Sequence, residues 1–378
     1  MSKILAMPKI RILVVDDSVV MRRLVTDALN SDPSLEVVGV AANGRIALDK
    51  VEQLSPDAVV LDVEMPEMDG LHALVEIRKK HFRLPVIMFS TVTARGAVAT
   101  LDALALGATD YVTKPANVGG VGESIDRLHH ELIPKIKQFC GVKASSGKEP
   151  LHVPLHLSIP SAPPIPKPPL PPQRIDAVVI GVSTGGPDAL MKLIPALPAD
   201  MPVPILIVQH MPPVFTKLLA DRLNAVSRIR VKEAEQGERI GPGGVWLAPG
   251  DFHMSVSSQD GGLVLSTSKG PPENSCRPAV DVLFRSAVET FGSHLMGVIL
   301  TGMGRDGFRG CELIRTAGGD VIAQDEASSI IWGMPGFVVR ASLADIVLPL
   351  LHIPAEIVKR VHRGRNPSPS AYPHIRTA

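Results

Sequence analysis

Two groups of polar residues in this sequence have the types and spacing to do chemistry. The first is acidic. Asp16 and Asp17 follow the apolar run Ile10–Val15, and Asp62 follows Ala58–Leu61. Clustered carboxylates repel one another unless a cation joins them, and hard oxygen ligands in a water-rich cleft suit Mg²⁺. Lys114, fixed by Pro115, follows Asp110–Val112 and can reach the same place, and Ser90 closes the run Pro85–Phe89 with a free hydroxyl. Singly, each has a plainer role: Asp17 before Ser18 can cap a helix, and Lys114 can be a solvated cation. Five polar groups at four strand ends point to a pocket instead.

The second group is nucleophilic. The run Ala177–Gly181 leads into Val182-Ser183-Thr184-Gly185-Gly186, then Pro187 and a helical pattern over Asp188–Leu197. Gly181 to Gly185 match GxSxG in the strand–turn–helix setting of a nucleophile elbow. Pro187 suits the first helical position. The glycines allow a sharp turn that exposes Ser183 at a helix N-terminus, where the dipole and free amides favour developing negative charge. GxGxxG is absent, and no Gly-Lys-Ser/Thr follows, so neither a dinucleotide turn nor a P-loop is present. Ser183 as a simple helix cap stays open on these residues alone.

His210 alters that balance. It follows the buried-looking run Pro204–Gln209 and precedes Met211-Pro212-Pro213, which should fix a loop. A histidine at a strand's carboxyl end can meet Ser183 across a parallel sheet, and a third group must orient it. Asp306 is the candidate, in the Gly-rich loop after Met296–Thr301, with N-capping as its plainer role. Among other histidines, His253 falls inside a hairpin strand, His294 precedes a strand and so lies at the opposite end, and His352 belongs to the C-terminal helix or tail.

Behind these residues the chain alternates strand and helix. The first part carries short apolar runs at Ile10–Val15, Val37–Ala41, Ala58–Leu61, Pro85–Phe89 and Asp110–Val112. Helical patterns lie near Val19–Leu29, Arg45–Gln53, Gly70–Lys80, Gly96–Ala105 and Ser124–Lys137. Runs this short suit strands covered on both faces, so the fold class is α/β, with a doubly wound, five-stranded parallel domain first. After the prolines the alternation resumes with Ala177–Gly181, Pro204–Gln209 and Met296–Thr301. Val245–Ala248, Phe252–Ser257 and Leu263–Ser268, separated by Pro249-Gly250 and Gly261-Gly262, read as hairpins. The second domain is therefore α/β, doubly wound and mainly parallel, with a β-hairpin excursion.

Between about Gly141 and Arg174 lie ten prolines, from Pro150 to Pro172. Proline removes an amide donor and fixes φ, so this stretch reads as an extended, semi-rigid linker, with an SH3-type ligand as the alternative. The expected division is a first domain over 1–139, a linker over 140–174, a second domain over 175–363 and a frayed tail over 364–378.

The 378 residues are 45% hydrophobic and 20% charged, with a net charge of +1. That balance leaves no electrostatic footprint for nucleic acid or a membrane surface, and 3% aromatic residues supply few base-stacking platforms. No window approaches the ~20 apolar residues of a membrane span, and the N-terminal apolar run is too short for a signal peptide. Cys140, Cys276 and Cys311 form no CxxC and leave an odd count, which suits a reducing cytoplasm and argues against a cysteine-built metal site.

The motifs LVVDDS, LDVEMPEMDG, MFST and YVTKP, over roughly residues 10–130, resemble the set of two-component receiver domains. That resemblance implies a flavodoxin-like fold in which Asp62 accepts a phosphoryl group from a histidine kinase. It implies Mg²⁺ held by Asp17, Asp62 and the carbonyl of Glu64, with Asp16 acting through water. Lys114 and Ser90 would meet the phosphoryl oxygens, and Tyr111 would change rotamer on activation. The blocks IGVSTGGP, IVQHMP, WLAPGDFHM, CRPAVDVLFRSA, LTGMGRDG and AQDEASSIIWGMP, over about 175–360, resemble the esterase domain of the chemotaxis response regulator protein-glutamate methylesterase family.

This second resemblance implies hydrolysis of glutamate methyl esters, and deamidation of glutamines, on chemoreceptor cytoplasmic helices. Ser183, His210 and Asp306 would form the triad, with no cofactor for the reaction. The Met303 amide would be an oxyanion donor, and Thr184 would orient His210. The resting receiver would cover the esterase cleft until Asp62 is phosphorylated. The protein is expected to be a cytoplasmic monomer recruited to receptor arrays, with no nucleic-acid partner and no membrane insertion. A signalling adaptor would show a degraded triad, and a transcription factor would need a helix-turn-helix with a basic face; neither is visible. A chemosensory circuit other than flagellar chemotaxis stays open.

Overall fold

The computed structural model describes residues 8–115, 120–141, 174–363 and 365. The chain divides into two compact units, Met1–Leu157 and Ser158–Ala378. The proline-rich linker and the C-terminal tail expected from the sequence lie almost wholly outside the described residues.

In the first unit, strands β1 (Ile10–Val15), β2 (Leu35–Ala41), β3 (Ala58–Asp62), β4 (Val86–Ser90) and β5 (Asp110–Thr113) alternate with helices. The helices are α1 (Val19–Asn30), α2 (Gly44–Leu54), α3 (Gly70–Lys80), α4 (Ala94–Ala105) and α5 (Gly120–Cys140). The strands pair in parallel in the order β2-β1-β3-β4-β5. Every residue of β3 and β4 is buried, as a strand covered on both faces requires. Ile12 and Val14 of β1 share a core with Val25 and Leu29 of α1 and Leu132 and Ile136 of α5.

The helix starts follow from capping chemistry. Ser18, Asn43, Asp69 and Thr93 each accept a hydrogen bond from the amide three residues on, at Met21, Ile46, His72 and Gly96. Each such cap stabilises its helix by about 1 kcal/mol. Ser18, not Asp17, caps α1, which leaves the Asp17 carboxylate outside the helix end. The Thr93 cap starts α4 two residues before Gly96.

In the second unit the elements run β6 (Ala177–Val182), α6 (Gly186–Leu193), β7 (Ile205–Gln209), α7 (Phe215–Val226), β8 (Arg230–Glu233), β9 (Arg239–Ile240), β10 (Gly244–Leu247), β11 (His253–Gln259) and β12 (Gly262–Ser268). Then come α8 (Val280–Phe291), β13 (Leu295–Ile299), α9 (Phe308–Thr316), β14 (Asp320–Gln324), α10 (Met334–Arg340), β15 (Ile346–Leu348) and α11 (Ile353–Val361). Seven strands form a parallel sheet in the order β15-β14-β13-β6-β7-β10-β8. The chain leaves β6 toward β7 on one side and returns to β13 on the other, so the strand order reverses beside β6. In open α/β sheets that reversal opens a crevice at the strands' carboxyl ends.

One expectation is corrected here. The reading from sequence puts Val245–Ala248 with the hairpins, yet β10 lies in the main sheet, parallel to β7 and β8. All four residues of β10 are buried, and the Gly250 amide donates to the buried Thr216 hydroxyl at 2.9 Å. Pro249-Gly250 therefore ends a buried strand against α7 and does not turn a hairpin. The true hairpin is β11–β12, with β9 completing a small antiparallel sheet. No helix among the described residues is long and apolar enough to cross a membrane.

Candidate active site and acidic pocket

The carboxyl ends of β1, β3 and β5 bring Asp16, Asp62 and Lys114 together. Lys114 Nζ lies 2.8 Å from Asp16 Oδ2 and 2.8 Å from Asp62 Oδ2. One carboxylate oxygen from each of Asp16, Asp17 and Asp62 falls within 4.8 Å of the others. Asp16 and Asp62 are buried, and Asp17 is exposed at the rim. A cleft of about 270 Å³ opens here, lined by Asp17, Asp62, Glu64, Ser90, Thr91 and Lys114 among others. The Glu64 side chain turns to Arg95, 3.1 Å away, while its amide faces Asp62 Oδ1.

Close packing sets this geometry. A Cβ at position 70 would lie 2.0 Å from the Asp62 carbonyl, so only glycine lets α3 start against the end of β3. Burial, reinforced by the nearby charge of Asp16, raises the Asp62 carboxyl to about 6 despite the opposing bond from Lys114. For Lys114, burial works to lower the ammonium's pKa, and the two carboxylates more than offset it, so the net shift is upward. A divalent cation here would meet two or three carboxylate oxygens around an open cleft, a donor set that fits Mg²⁺.

One receiver expectation needs amendment. The Ser90 hydroxyl is not free: it is buried and donates to the Gly96 carbonyl at 3.1 Å, because α4 starts directly over it. Tyr111 is buried on β5, with Lys135 Nζ 5.5 Å from its ring centroid.

In the second unit, the turn after β6 carries Ser183. Gly185 takes φ +77, which favours glycine, and Pro187 is the second residue of α6. The Ser183 amide donates to the Thr301 carbonyl at 3.0 Å, and a Cβ on Gly302 would lie 2.8 Å from that of Ser183. Ser183 is thus pressed between the ends of β6 and β13, half-buried at the crevice. His210 follows β7, the next strand, and its amide donates to the Val182 carbonyl at 3.2 Å.

The imidazole is held at both ring nitrogens. Nε2 donates to Asp306 Oδ2 at 2.8 Å, and Nδ1 faces Cys276 Sγ at 3.6 Å. The Ser183 hydroxyl makes no hydrogen bond to the ring in this arrangement. Asp306 does not cap its own helix, α9, whose N-cap is Gly307. It sits instead at the start of α8, where Oδ2 accepts from the Val280 amide at 2.6 Å and Oδ1 from the Asp281 amide at 3.1 Å. Oδ1 also accepts from the Gly307 amide at 3.0 Å and Asn274 Nδ2 at 2.9 Å. Five donors on one buried carboxylate hold it ionised and fix its plane.

The electrostatics follow. Burial opposes charge on Asp306, but the His210 bond and the amides of α8 outweigh it and lower its pKa. Burial would likewise lower the His210 pKa; the bonds to Asp306 and Cys276 override it and push the imidazole up to about 10. Behind Asp306, Asp281 accepts from the Gly310 amide and from the same Asn274 amide group. Burial, with the nearby charge of Asp306, pushes the Asp281 carboxyl upward.

Of the remaining expected residues, Met303 sits in the loop beyond Gly302, and its amide donates to no other backbone group among the described residues. Thr184 is buried, and its carbonyl accepts from the Thr301 hydroxyl at 2.9 Å. His253 is packed, with Nε2 2.9 Å from the Pro271 carbonyl, and His294 lies at the opposite end of the sheet beside Arg174. Sequence reasoning missed Cys276, Asn274 and Asp281. All three fall in or beside the block CRPAVDVLFRSA, but no spacing signal ties them to His210 or Asp306.

A parallel unit with an acidic strand-end pocket, followed by an α/β unit with a serine turn and a His–Asp pair, has the build of an enzyme-bearing response regulator. A family model described as response regulator receiver domain matches residues 12–126, and one described as CheB methylesterase matches residues 178–357. The protein-glutamate methylesterase/protein-glutamine glutaminase of Trichodesmium erythraeum is 51% identical over 94% of this chain and 100% of its own. That of Nocardioides sp. is 51% identical over 95% of this chain and 97% of its own. The solved catalytic domain of Thermotoga maritima CheB methylesterase is 46% identical, with a TM-score of 0.48, and covers 50% of this chain and 99% of its own. The chain belongs to the family of protein-glutamate methylesterases/protein-glutamine glutaminases.

Proposed function

We propose that this protein hydrolyses glutamate methyl esters, and deamidates glutamines, on the cytoplasmic helices of chemoreceptors, under control of phosphorylation at Asp62. The observation that carries the reading is the His210 Nε2–Asp306 Oδ2 bond at the crevice where the Ser183 turn emerges. With Nε2 given to Asp306, Nδ1 is the ring nitrogen left to take the Ser183 proton. Catalytic hydrogen bonds often tighten only when substrate binds.

The chemistry then follows the triad logic. Ser183 Oγ attacks the ester carbonyl as its proton passes to His210 Nδ1. The C–O bond to methoxide breaks, His210 returns the proton, and methanol leaves. Water opens the acyl-enzyme by the same proton route, giving glutamate. A glutamine side chain passes through the same kind of tetrahedral intermediate and releases ammonia. Asp306 holds the tautomer and balances the imidazolium, and the Met303 amide, which donates to no backbone group among the described residues, is the proposed oxyanion donor. Thr184 is proposed to orient His210 from the neighbouring turn. The esterase step uses no cofactor.

In the receiver, a histidine kinase is the proposed phosphodonor: the P–N bond breaks and an Asp62 oxygen takes the phosphoryl group. Asp17, Asp62 and the Glu64 carbonyl would hold Mg²⁺, with Asp16 behind them, and the ion would supply charge neutralisation. Lys114, already bonded to Asp62, would turn to the phosphoryl oxygens. Ser90 would exchange its bond to Gly96 for one of them, and Tyr111 would respond as the switch. The proposed setting is cytoplasmic, as a monomer at receptor arrays, with domains over 1–139 and 175–363.

The test is methanol release from methylated receptor membranes, with and without a small phosphodonor. Release that rises with the phosphodonor is expected. No release under either condition refutes the esterase reading, and release indifferent to the phosphodonor refutes its control.

A further inference from the structure

We propose that His210 and Cys276 form a binding site for a thiophilic divalent cation of the Zn²⁺ class, and that its occupation switches the hydrolase off. The inhibitory half rests on the triad reading above; the binding half does not. Cys276 Sγ and His210 Nδ1 lie 3.6 Å apart. In tetrahedral zinc, Zn–S of about 2.3 Å and Zn–N of about 2.0–2.1 Å place two such ligand atoms about 3.6 Å from each other. The pair is therefore already at the separation a tetrahedral ion imposes on its own ligands, with the side chains where they stand.

The far side of the ring is arranged for the same purpose. Metal-bound histidines usually donate their other nitrogen to a carboxylate, which fixes the ring and raises its basicity. Nε2 donates to Asp306 Oδ2 at 2.8 Å. Donor atoms of His210, Cys276 and Asp306 all lie within 4.8 Å of one another. Asp306 is already committed to Nε2 and the Val280 amide through Oδ2, so it serves as the outer carboxylate. Nitrogen and thiolate ligands favour zinc over the Mg²⁺ that suits the oxygen pocket of the receiver. Cys276 is partly exposed, whereas Cys140 and Cys311 are buried, so of the three thiols it is the one a solvated ion can reach.

Binding is written simply. Zn²⁺ displaces the Cys276 thiol proton and any proton on Nδ1 to solvent and takes the freed lone pair of Nδ1, while the Nε2 proton stays on the ring, donated to Asp306. Water fills the remaining positions. Nδ1 is then no longer a base, and Ser183 loses its proton acceptor.

The full chain is titrated with Zn²⁺, and with Co²⁺ as a spectroscopic probe, in excess Mg²⁺ to fill the receiver pocket. One ion per chain is expected, with a thiolate-to-Co²⁺ charge-transfer band, in wild type and in Ser183→Ala alike. Cys276→Ala should weaken binding by more than about 10–100-fold, the loss typical of an outer-shell change alone, and should abolish the band. Zn²⁺ should suppress methanol release by wild type, with recovery on chelation, while the rate of Cys276→Ala should be the same with and without the ion. Absence of one-to-one binding, or binding and a band that survive Cys276→Ala, overturns the site. If Ser183→Ala binds the ion yet still releases methanol, the triad reading fails and the site stands. If wild type binds the ion with undiminished methanol release, the inhibitory half is overturned.

Discussion

Replacing Asp306 by asparagine changes one oxygen to NH₂ at a group that accepts five hydrogen bonds. The asparagine oxygen fits best at the Oδ1 position, where Asn274, Asp281 and Gly307 all donate. Its NH₂ then falls at Oδ2 and faces two donors, the Val280 amide and Nε2–H. The buried Val280 amide loses its acceptor, which costs about 1–3 kcal/mol. His210 must shift its proton from Nε2 to Nδ1, so the nitrogen left for Ser183 becomes a donor and can no longer act as base. A triad aspartate changed this way lowers kcat by about 10⁴ in a serine protease through the same tautomer error. The stability loss should lower Tm by about 2–4 °C per kcal/mol for a unit of this size. The assay is single-turnover methanol release alongside a melting curve of the same protein. A folded Asp306→Asn protein with kcat within tenfold of wild type would refute the reasoning, because Asp306 would then not set the tautomer.

Ser183→Ala should abolish methanol release with little change in Tm, since the hydroxyl makes no hydrogen bond among the described residues; near-normal release would move the nucleophile elsewhere. Asp62→Asn should leave basal release intact and remove stimulation by a small phosphodonor, read in the same assay. The pH profile carries a sign. His210 is raised from 6.5 to about 10, so the stability from its pair with Asp306 is complete below 6.5 and lost as pH rises through about 10. The Asp306 contribution, from a lowered pKa, is lost as pH falls through the acid range. Activity should rise on the alkaline side of neutrality as the free base forms, and Asp306→Asn should move that limb to lower pH; a kcat/KM profile checks both. Gly302→Ala would set a Cβ 2.4 Å from Met334 Sδ and 2.8 Å from Ser183 Cβ. Overpacking of this kind costs about 1–3 kcal/mol, and kcat should fall by more than the melting shift implies because Ser183 is displaced.

Much of this molecule was legible in its residues. Short β-branched runs ending in Asp16, Asp62, Ser90 and Lys114 specify strands buried on both faces, and a parallel sheet gathers their carboxyl ends at one edge. The turn Gly181 to Pro187 signals its own bend through glycine and proline, while Thr301, Gly302 and Gln209 from distant parts of the chain hold Ser183 in place. Other features belong to the tertiary structure alone. The Val245–Ala248 run could pair on either side until burial against α7 drew it into the main sheet. Asp306 looks like a cap for the helix that follows it, but the crossing of α8 and α9 makes it a cap for the other. Cys276 carries no motif, and it meets His210 only because the loop before α8 folds over the end of β7. Local sequence sets which groups a strand or turn presents, through φ, capping and burial period. Which of those groups then face each other depends on long-range packing, and that leaves no periodic trace in the chain.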